Sequence, residues 1–365
     1  MRTLETWTPR RGVSVPAISV VDPDGGVIED DQRRLTRYLL QHGRGADIVF
    51  AMGTTGEWHR LERTARHRII SISCEEVHKA RPALEQRGER PVEIWVGVTA
   101  PDRSQTLETL ELALALGADA AVLAPLAIGD VDDPVRFLQR DVLDRLDQLG
   151  RRLPIFLYDN AEISAGRVLR TRWVKALSRL DFVRGIKVSA PPRRLGHYTA
   201  AARQFRDLGA FAIYIGNAPY ILEMMRPRRG ILGTLAEHWD RFRRRDMLPA
   251  GVVAGPGNLL PREWQWIWQI SCAGDVERMD AMREQVRAFR ALCTFGGTRY
   301  THACIKRGLL RLGVISSDAM APGGRGLDAS QAARFDERFE LFQEGQKAVT
   351  PERWRSDPAL AEPDA

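Results

Sequence analysis

Lysine is the scarce residue of this 365-residue chain: five of its 54 Lys+Arg residues are lysines, at Lys79, Lys175, Lys187, Lys306 and Lys347. Cysteine is sparse as well. Cys74, Cys272, Cys293 and Cys304 form no CxxC, and although His302 lies close to Cys304, no second ligand pair accompanies it. This pattern excludes a disulfide framework and argues against a zinc site, so free thiols in a reducing compartment and no metal are expected. No uninterrupted apolar run approaches the ~20 residues of a bilayer span. The first ten residues hold no apolar core of signal-peptide length. A soluble, cytoplasmic protein without a membrane partner is the expectation. No Gly-rich dinucleotide loop follows an early strand, and no cofactor is expected. The net charge is +7, yet the arginines are scattered among Asp and Glu on helical patterns. Their short clusters, such as Arg243-Arg244-Arg245, carry no interleaved aromatics. Solvated helix faces, not nucleic acid, account for such a distribution.

What is present is a regular alternation. Short apolar runs read as strands near Val13–Val20, Ala46–Met52, Val92–Val98, Ala118–Ala124, Pro154–Tyr158, Phe182–Lys187, Ala210–Ile215 and Gly251–Ala254. Helical periodicity fills Asp30–Gln41, Leu61–Lys79, Arg103–Leu116, Asp133–Leu149, Val168–Leu180 and Arg194–Leu208. Eight such units predict an α/β protein with a parallel (β/α)8 TIM barrel. The barrel is expected over residues 10–260, with a C-terminal helical appendage at 261–315 built from Arg262–Ser271, Asp275–Cys293 and Thr301–Leu310. A polar tail at 316–365 should hold one helix, Ser330–Glu344, and end in a poorly ordered dozen residues. The basic stretch Arg226–Leu248 is long for a connection between the seventh and eighth strands and predicts an extra helix, Leu232–Arg243.

In a parallel barrel the chemistry gathers just past the C-terminal strand ends. Lys187 closes the apolar run from Asp181, where a chain so rich in arginine would use arginine for an ordinary salt bridge. Arginine stays charged, whereas a desolvated lysine can release its proton and attack a ketone to form an imine. The bland alternative is a snorkelling or ion-paired lysine at a strand end. The other four lysines lie in amphipathic or Arg-rich helices or in the tail and look unremarkable by comparison. Tyr158 closes the fifth strand, one strand over from Lys187; a phenol there can accept and donate a proton. Neighbouring strands lie about 4.8 Å apart, so the two side chains can meet. After the second strand, Gly53-Thr54-Thr55-Gly56-Glu57 combines turn-permitting glycines with hydroxyl donors, which suits a small anion such as a carboxylate. A plain strand-to-helix turn capped by threonine is the competing reading. Gly216-Asn217 and Gly255-Pro256-Gly257-Asn258 follow the last two strands, as substrate contacts or as structural turns. Together, an anion cradle, a phenol and an imine-forming lysine would serve a small-molecule 2-oxo acid.

These residues in this order resemble the dihydrodipicolinate synthase / N-acetylneuraminate lyase family: the Gly53–Glu57 motif, Tyr158 with Asp159-Asn160, and Gly185-Ile186-Lys187. The resemblance covers roughly residues 10–315. It implies a Schiff-base lyase of the class I aldolase type, acting on pyruvate or a related 2-oxo acid, and a homo-oligomer, tetramer or dimer. By the same resemblance Lys187 forms the imine and Tyr158 relays protons. Thr54 links that relay, while Thr55 and the backbone at Gly53 bind the carboxylate.

The chain also departs from that pattern. Lysine-pathway synthases of the family carry a pair of tyrosines after the fourth strand, where this chain has Ala124-Pro125-Leu126-Ala127, so the second phenol of their relay is missing. No arginine follows closely after Tyr158 to hold a second carboxylate, unless Arg167 reaches back. These differences argue against dihydrodipicolinate synthesis itself. The readings in view are an aldolase acting on a 4-hydroxy-2-oxo acid such as a 2-keto-3-deoxy sugar acid, a dehydratase using the same imine, a true dihydrodipicolinate synthase despite these differences, or a non-catalytic barrel that binds a 2-oxo acid.

Overall fold

Short segments of mostly β-branched and aliphatic residues form eight strands, as runs buried on both faces do in parallel sheets. They are β1 (Gly12–Pro16), β2 (Ile48–Ala51), β3 (Glu93–Gly97), β4 (Ala120–Leu123), β5 (Ile155–Asp159), β6 (Val183–Val188), β7 (Ala212–Ile215) and β8 (Gly251–Val253), and every residue in them is buried. In the computed structural model, which describes residues 4, 7–89, 91–189, 211–228, 230–242, 249–293 and 298–355, they follow the order β1 to β8 in a closed barrel. The pairs from β1 to β3 and from β4 to β8 are parallel. With helices between the strands and a helical region at the C-terminus, the architecture is the expected (β/α)8 barrel.

Internal contacts group the described residues into two units: Met1–Arg11, Gly97–Val253 and Ser271–Val276 in one, and Gly12–Val96, Ala254–Ile270 and Glu277–Ala365 in the other. In the first, Phe156 on β5 is flanked by edge-on rings, Tyr214 of β7 at 5.4 Å and Trp7 at 5.9 Å. This packing dictates the glycine of Gly185-Ile186-Lys187, because a Cβ at 185 would run into the Phe156 ring. The helical connection after β4 matches the expected Asp133–Leu149 closely, as Pro134–Phe137, a π turn at Leu138–Val142, and Leu143–Gln148. Asp133 caps it by accepting from the N–H groups of Val135 and Arg136. The extra helix of the long connection spans Gly230–Phe242, and its Ile231, Leu232, Leu235 and Trp239 are exposed. The helix expected over Arg194–Leu208 lies outside the described residues, as do positions 356–365 of the tail.

In the second unit β1 stops at Pro16, short of the expected Val20, because the backbone beyond it takes side-chain partners. Asn258 accepts from Ile18 N–H at 3.1 Å and donates to the carbonyls of Pro16 and Gly255, both at 2.9 Å. Val20 N–H donates to Gln32 Oε1 at 2.9 Å. Asn258 is fully buried and clasps the turn after β8 to the end of β1, which favours the structural reading of that turn. Asn258→Ala would take the side-chain acceptor from the buried Ile18 N–H and a donor from two carbonyls, so a loss of about 2–5 kcal/mol in unfolding free energy is expected by denaturant titration. The helix after β2 runs from Arg63 through Pro82 to Gln86, longer than expected. The C-terminal helices are Pro261–Ala273, Val276–Cys293, Thr301–Arg311 and Ala329–Val349, the last opened by an Asp328/Gln331 capping box. Burial pushes the Cys304 thiol up to about 12.

Candidate active site

Tyr158, Lys187 and Tyr214 are register partners across β5, β6 and β7. Lys187 and Tyr158 are both buried, at 5% and 6% exposure, and the Lys187 Nζ stands 3.9 Å from the centre of the Tyr158 ring. The amine and the phenol proposed from sequence are therefore brought together. At that distance the ring face attracts the ammonium form, and the stem of Lys187 is held along a fixed strand.

The phenol oxygen has neighbours that sequence reasoning passed over. Asn160, just beyond β5 and 8% exposed, donates from Nδ2 to the Tyr158 oxygen at 2.8 Å, while its Oδ1 accepts from Glu162 N–H at 3.0 Å. Ser189 follows β6 and continues the ladder by donating its N–H to the Asp159 carbonyl at 3.0 Å. Its Oγ is 3.3 Å from the Tyr158 oxygen. Side chains two apart on a strand share a face, so a hydroxyl two positions after a candidate lysine was the available signal. The Asp159 carboxylate serves the backbone instead, accepting from Leu169 N–H at 2.8 Å.

Gly216 and Asn217 follow β7. Gly216 donates its N–H to the Val188 carbonyl at 2.8 Å, and a Cβ there would overlap Ser189 Oγ. Asn217 is exposed, and its carbonyl accepts from Tyr220 N–H at 3.1 Å. Arg167 Nη2 donates at 2.6 Å to the carbonyl of Leu126, in the Pro125–Ala127 turn after β4.

Gly53, Thr54 and Thr55 belong to the second unit. They form a tight 3-10 turn, Thr54–Gly56, in which Gly56 N–H donates to Gly53 O at 2.9 Å and Glu57 N–H to Thr54 O at 3.0 Å. Ser19 Oγ pins the turn from below by donating to the Gly56 carbonyl at 2.6 Å. A Cβ at Gly53 would press on the Phe50 ring at 2.8 Å, which explains the glycine. Both threonines are half-buried. Glu57, in the left-handed region at φ 54°, turns its carboxylate inward to the Lys306 ammonium at 2.8 Å. Lys306 also donates to the Ala319 carbonyl at 2.7 Å. Lys306 is thus no ordinary member of an Arg-rich helix. It is fully buried, and burial more than any partner lowers its pKa, with Glu57 opposing.

Among the described residues no group of three or more His, Cys, Asp or Glu could hold a metal ion, and no helix is long and apolar enough to cross a membrane.

No family model matches the chain. It is 23% identical over 282 residues to a 4-hydroxy-tetrahydrodipicolinate synthase of Protochlamydia amoebophila, covering 76% of this chain and 80% of that protein. It is 25% identical over 290 residues to a probable mitochondrial 4-hydroxy-2-oxoglutarate aldolase of Emericella nidulans, covering 78% and 81%. Among solved structures, a dihydrodipicolinate synthase from Bacteroides thetaiotaomicron superposes with a TM-score of 0.73 at 19% identity, over 92% of this chain and all of that one.

Proposed function

Starting from a chain whose homologues and structural neighbours are members of the dihydrodipicolinate synthase family, we propose a lyase that acts on pyruvate or a related 2-oxo acid through an imine on Lys187. The observation that carries this reading is the buried amine of Lys187 beside the Tyr158 ring on paired strand ends. The neutral amine adds to the ketone carbon, and Tyr158 gives its proton to the carbinolamine hydroxyl, which leaves as water as C=N forms. The iminium withdraws electrons from the carbon beside it, so that carbon loses a proton, or a bond to an aldehyde carbon, to give the enamine. Gly53, Thr54 and Thr55 are proposed for the substrate carboxylate, with Thr54 also linked to the relay, and Gly216 and Asn217 for the remainder of the substrate. The names of the relatives support a 2-oxo acid: one is a 4-hydroxy-2-oxoglutarate aldolase and another a 4-hydroxy-tetrahydrodipicolinate synthase.

The test is borohydride reduction in the presence of pyruvate and of a panel of 2-oxo acids, with the adduct located by peptide mass. A stable adduct on Lys187 is expected, and its absence with every acid would end the imine reading. Pyruvate released from a 4-hydroxy-2-oxo acid marks aldol cleavage; loss of water with the carbon skeleton intact marks dehydration. Tyr158→Phe should keep the adduct but slow turnover by about 10²–10⁴-fold, the usual contribution of a general acid-base group. Unchanged turnover would remove Tyr158 from the mechanism.

A further inference from the structure

We infer that Asn160 and Ser189 are positioning residues that hold the phenolate of Tyr158, in place of the second phenol this chain lacks; the inference rests on the imine reading above. The orientation of Asn160 is set from both ends. Oδ1 accepts from Glu162 N–H at 3.0 Å, so the amide nitrogen is the end turned to the phenol at 2.8 Å. An amide NH2 only donates. Asn160 therefore bonds to the phenol oxygen whether or not that oxygen carries its proton, and a donor to the charged form favours it. Ser189 Oγ, at 3.3 Å, both accepts and donates. It accepts the phenol hydrogen bond before transfer and donates to the phenolate after it. The 3.3 Å separation is long for two hydroxyls, and such bonds commonly tighten once substrate is bound.

Two further features reserve this place for the hydroxyl. Ser189 is locked into the β5–β6 ladder by its N–H bond to Asp159, and residue 216 is a glycine where any Cβ would overlap Ser189 Oγ. At the position of the missing tyrosines, the Pro125–Ala127 turn carries no phenol, and its Leu126 carbonyl receives Arg167 instead.

The chemistry balances without any added reagent. Tyr158 protonates the departing carbinolamine hydroxyl, leaving iminium and phenolate. The phenolate then takes a proton from the carbon beside the iminium, giving the enamine and restoring the phenol. Asn160 and Ser189 lower the cost of the charged state between the two transfers.

The second transfer can be read with pyruvate alone, as enzyme-dependent exchange of its methyl protons for deuterium, followed by NMR. Asn160→Asp replaces a donor with an acceptor of the same size. It should slow exchange at saturating pyruvate at least about tenfold and move the alkaline limb of its pH profile upward by about one unit, since a nearby negative charge disfavours phenolate. Ser189→Ala should slow exchange about tenfold with KM within about threefold, a split that loss of transition-state stabilisation produces and loss of binding does not. In a Tyr158→Phe background Ser189→Ala should cost nothing further, because its effect passes through the phenol. Should Asn160→Asp fail to fold, Ser189→Ala and its cycle with Tyr158→Phe decide the matter. Borohydride trapping of pyruvate on the wild-type protein separates the two levels. A Lys187 adduct combined with unchanged exchange in Ser189→Ala, or with effects that multiply in the double variant, overturns this inference alone. No adduct overturns the imine reading and this inference with it.

Discussion

Lys187→Arg is expected to be inactive and folded. The variant should form no borohydride-stable adduct with any 2-oxo acid, and turnover should fall by at least about 10³-fold, as for loss of a covalent nucleophile that acts as part of a unit. Arginine keeps a positive charge beside the Tyr158 ring, where Nζ now stands 3.9 Å from the ring centre, and a guanidinium stacks well on an aromatic face. Whatever Lys187 does as a cation, arginine can still do. What arginine cannot do is offer a neutral amine, because it does not lose its proton in a protein. The substitution therefore separates the covalent role from ion pairing or snorkelling, which Lys187→Ala would not, since alanine removes charge, packing and amine together. A melting temperature near that of the wild type with no turnover supports the imine. Substantial turnover in Lys187→Arg would refute it, and unchanged affinity for a 2-oxo acid without turnover in the wild type would favour the non-catalytic binding barrel.

The barrel was legible because its strands are buried on both faces. Such strands must be short continuous apolar runs, and all eight were readable as runs with helical patterns between them. Lys187 was legible for the opposite reason: a lysine closing an apolar run stands out in a chain that otherwise uses arginine. The end of β1 was not legible, since Ala17–Val20 is as apolar as the strand before it. Two of its N–H groups take side-chain acceptors from other elements, Asn258 for Ile18 and Gln32 for Val20. Asn160 and Ser189 were also missed as parts of the site. Each is an ordinary polar residue after a strand, and only the register that pairs Tyr158 with Lys187 turns them both toward one phenol. Lys306 was misread outright. The helix Thr301–Arg311 carries two arginines around it and reads as solvated, whereas the lysine is fully buried against a carboxylate far away in the chain.

That carboxylate is why Lys306→Met is expected to destabilise the fold strongly. Glu57 directly follows the Thr54–Gly56 turn, and its Oε2 holds the Lys306 ammonium at 2.8 Å while its buried Oε1 has no hydrogen-bond partner among the described residues. Lys306→Met keeps most of the stem volume but leaves that carboxylate buried without its counter-charge. A loss of about 3–5 kcal/mol is expected, the usual cost of breaking a buried pair from one side. Replacing both groups, as Glu57→Gln with Lys306→Met, should recover much of it, because desolvation then burdens neither residue. Alkaline pH gives an independent reading. Burial foremost lowers the Lys306 pKa below its ordinary 10.5, against the pull of Glu57 and Asp318. Between that lowered value and 10.5 the unfolded chain binds a proton that the folded chain has released, so this group makes stability rise with pH across that window and contributes no further change above it. Denaturant midpoints measured from neutral pH to pH ~11 should therefore show an upward component in the wild type that Lys306→Met lacks. Identical slopes in the two proteins would mean that the buried ammonium is fully compensated by its partners in the folded chain.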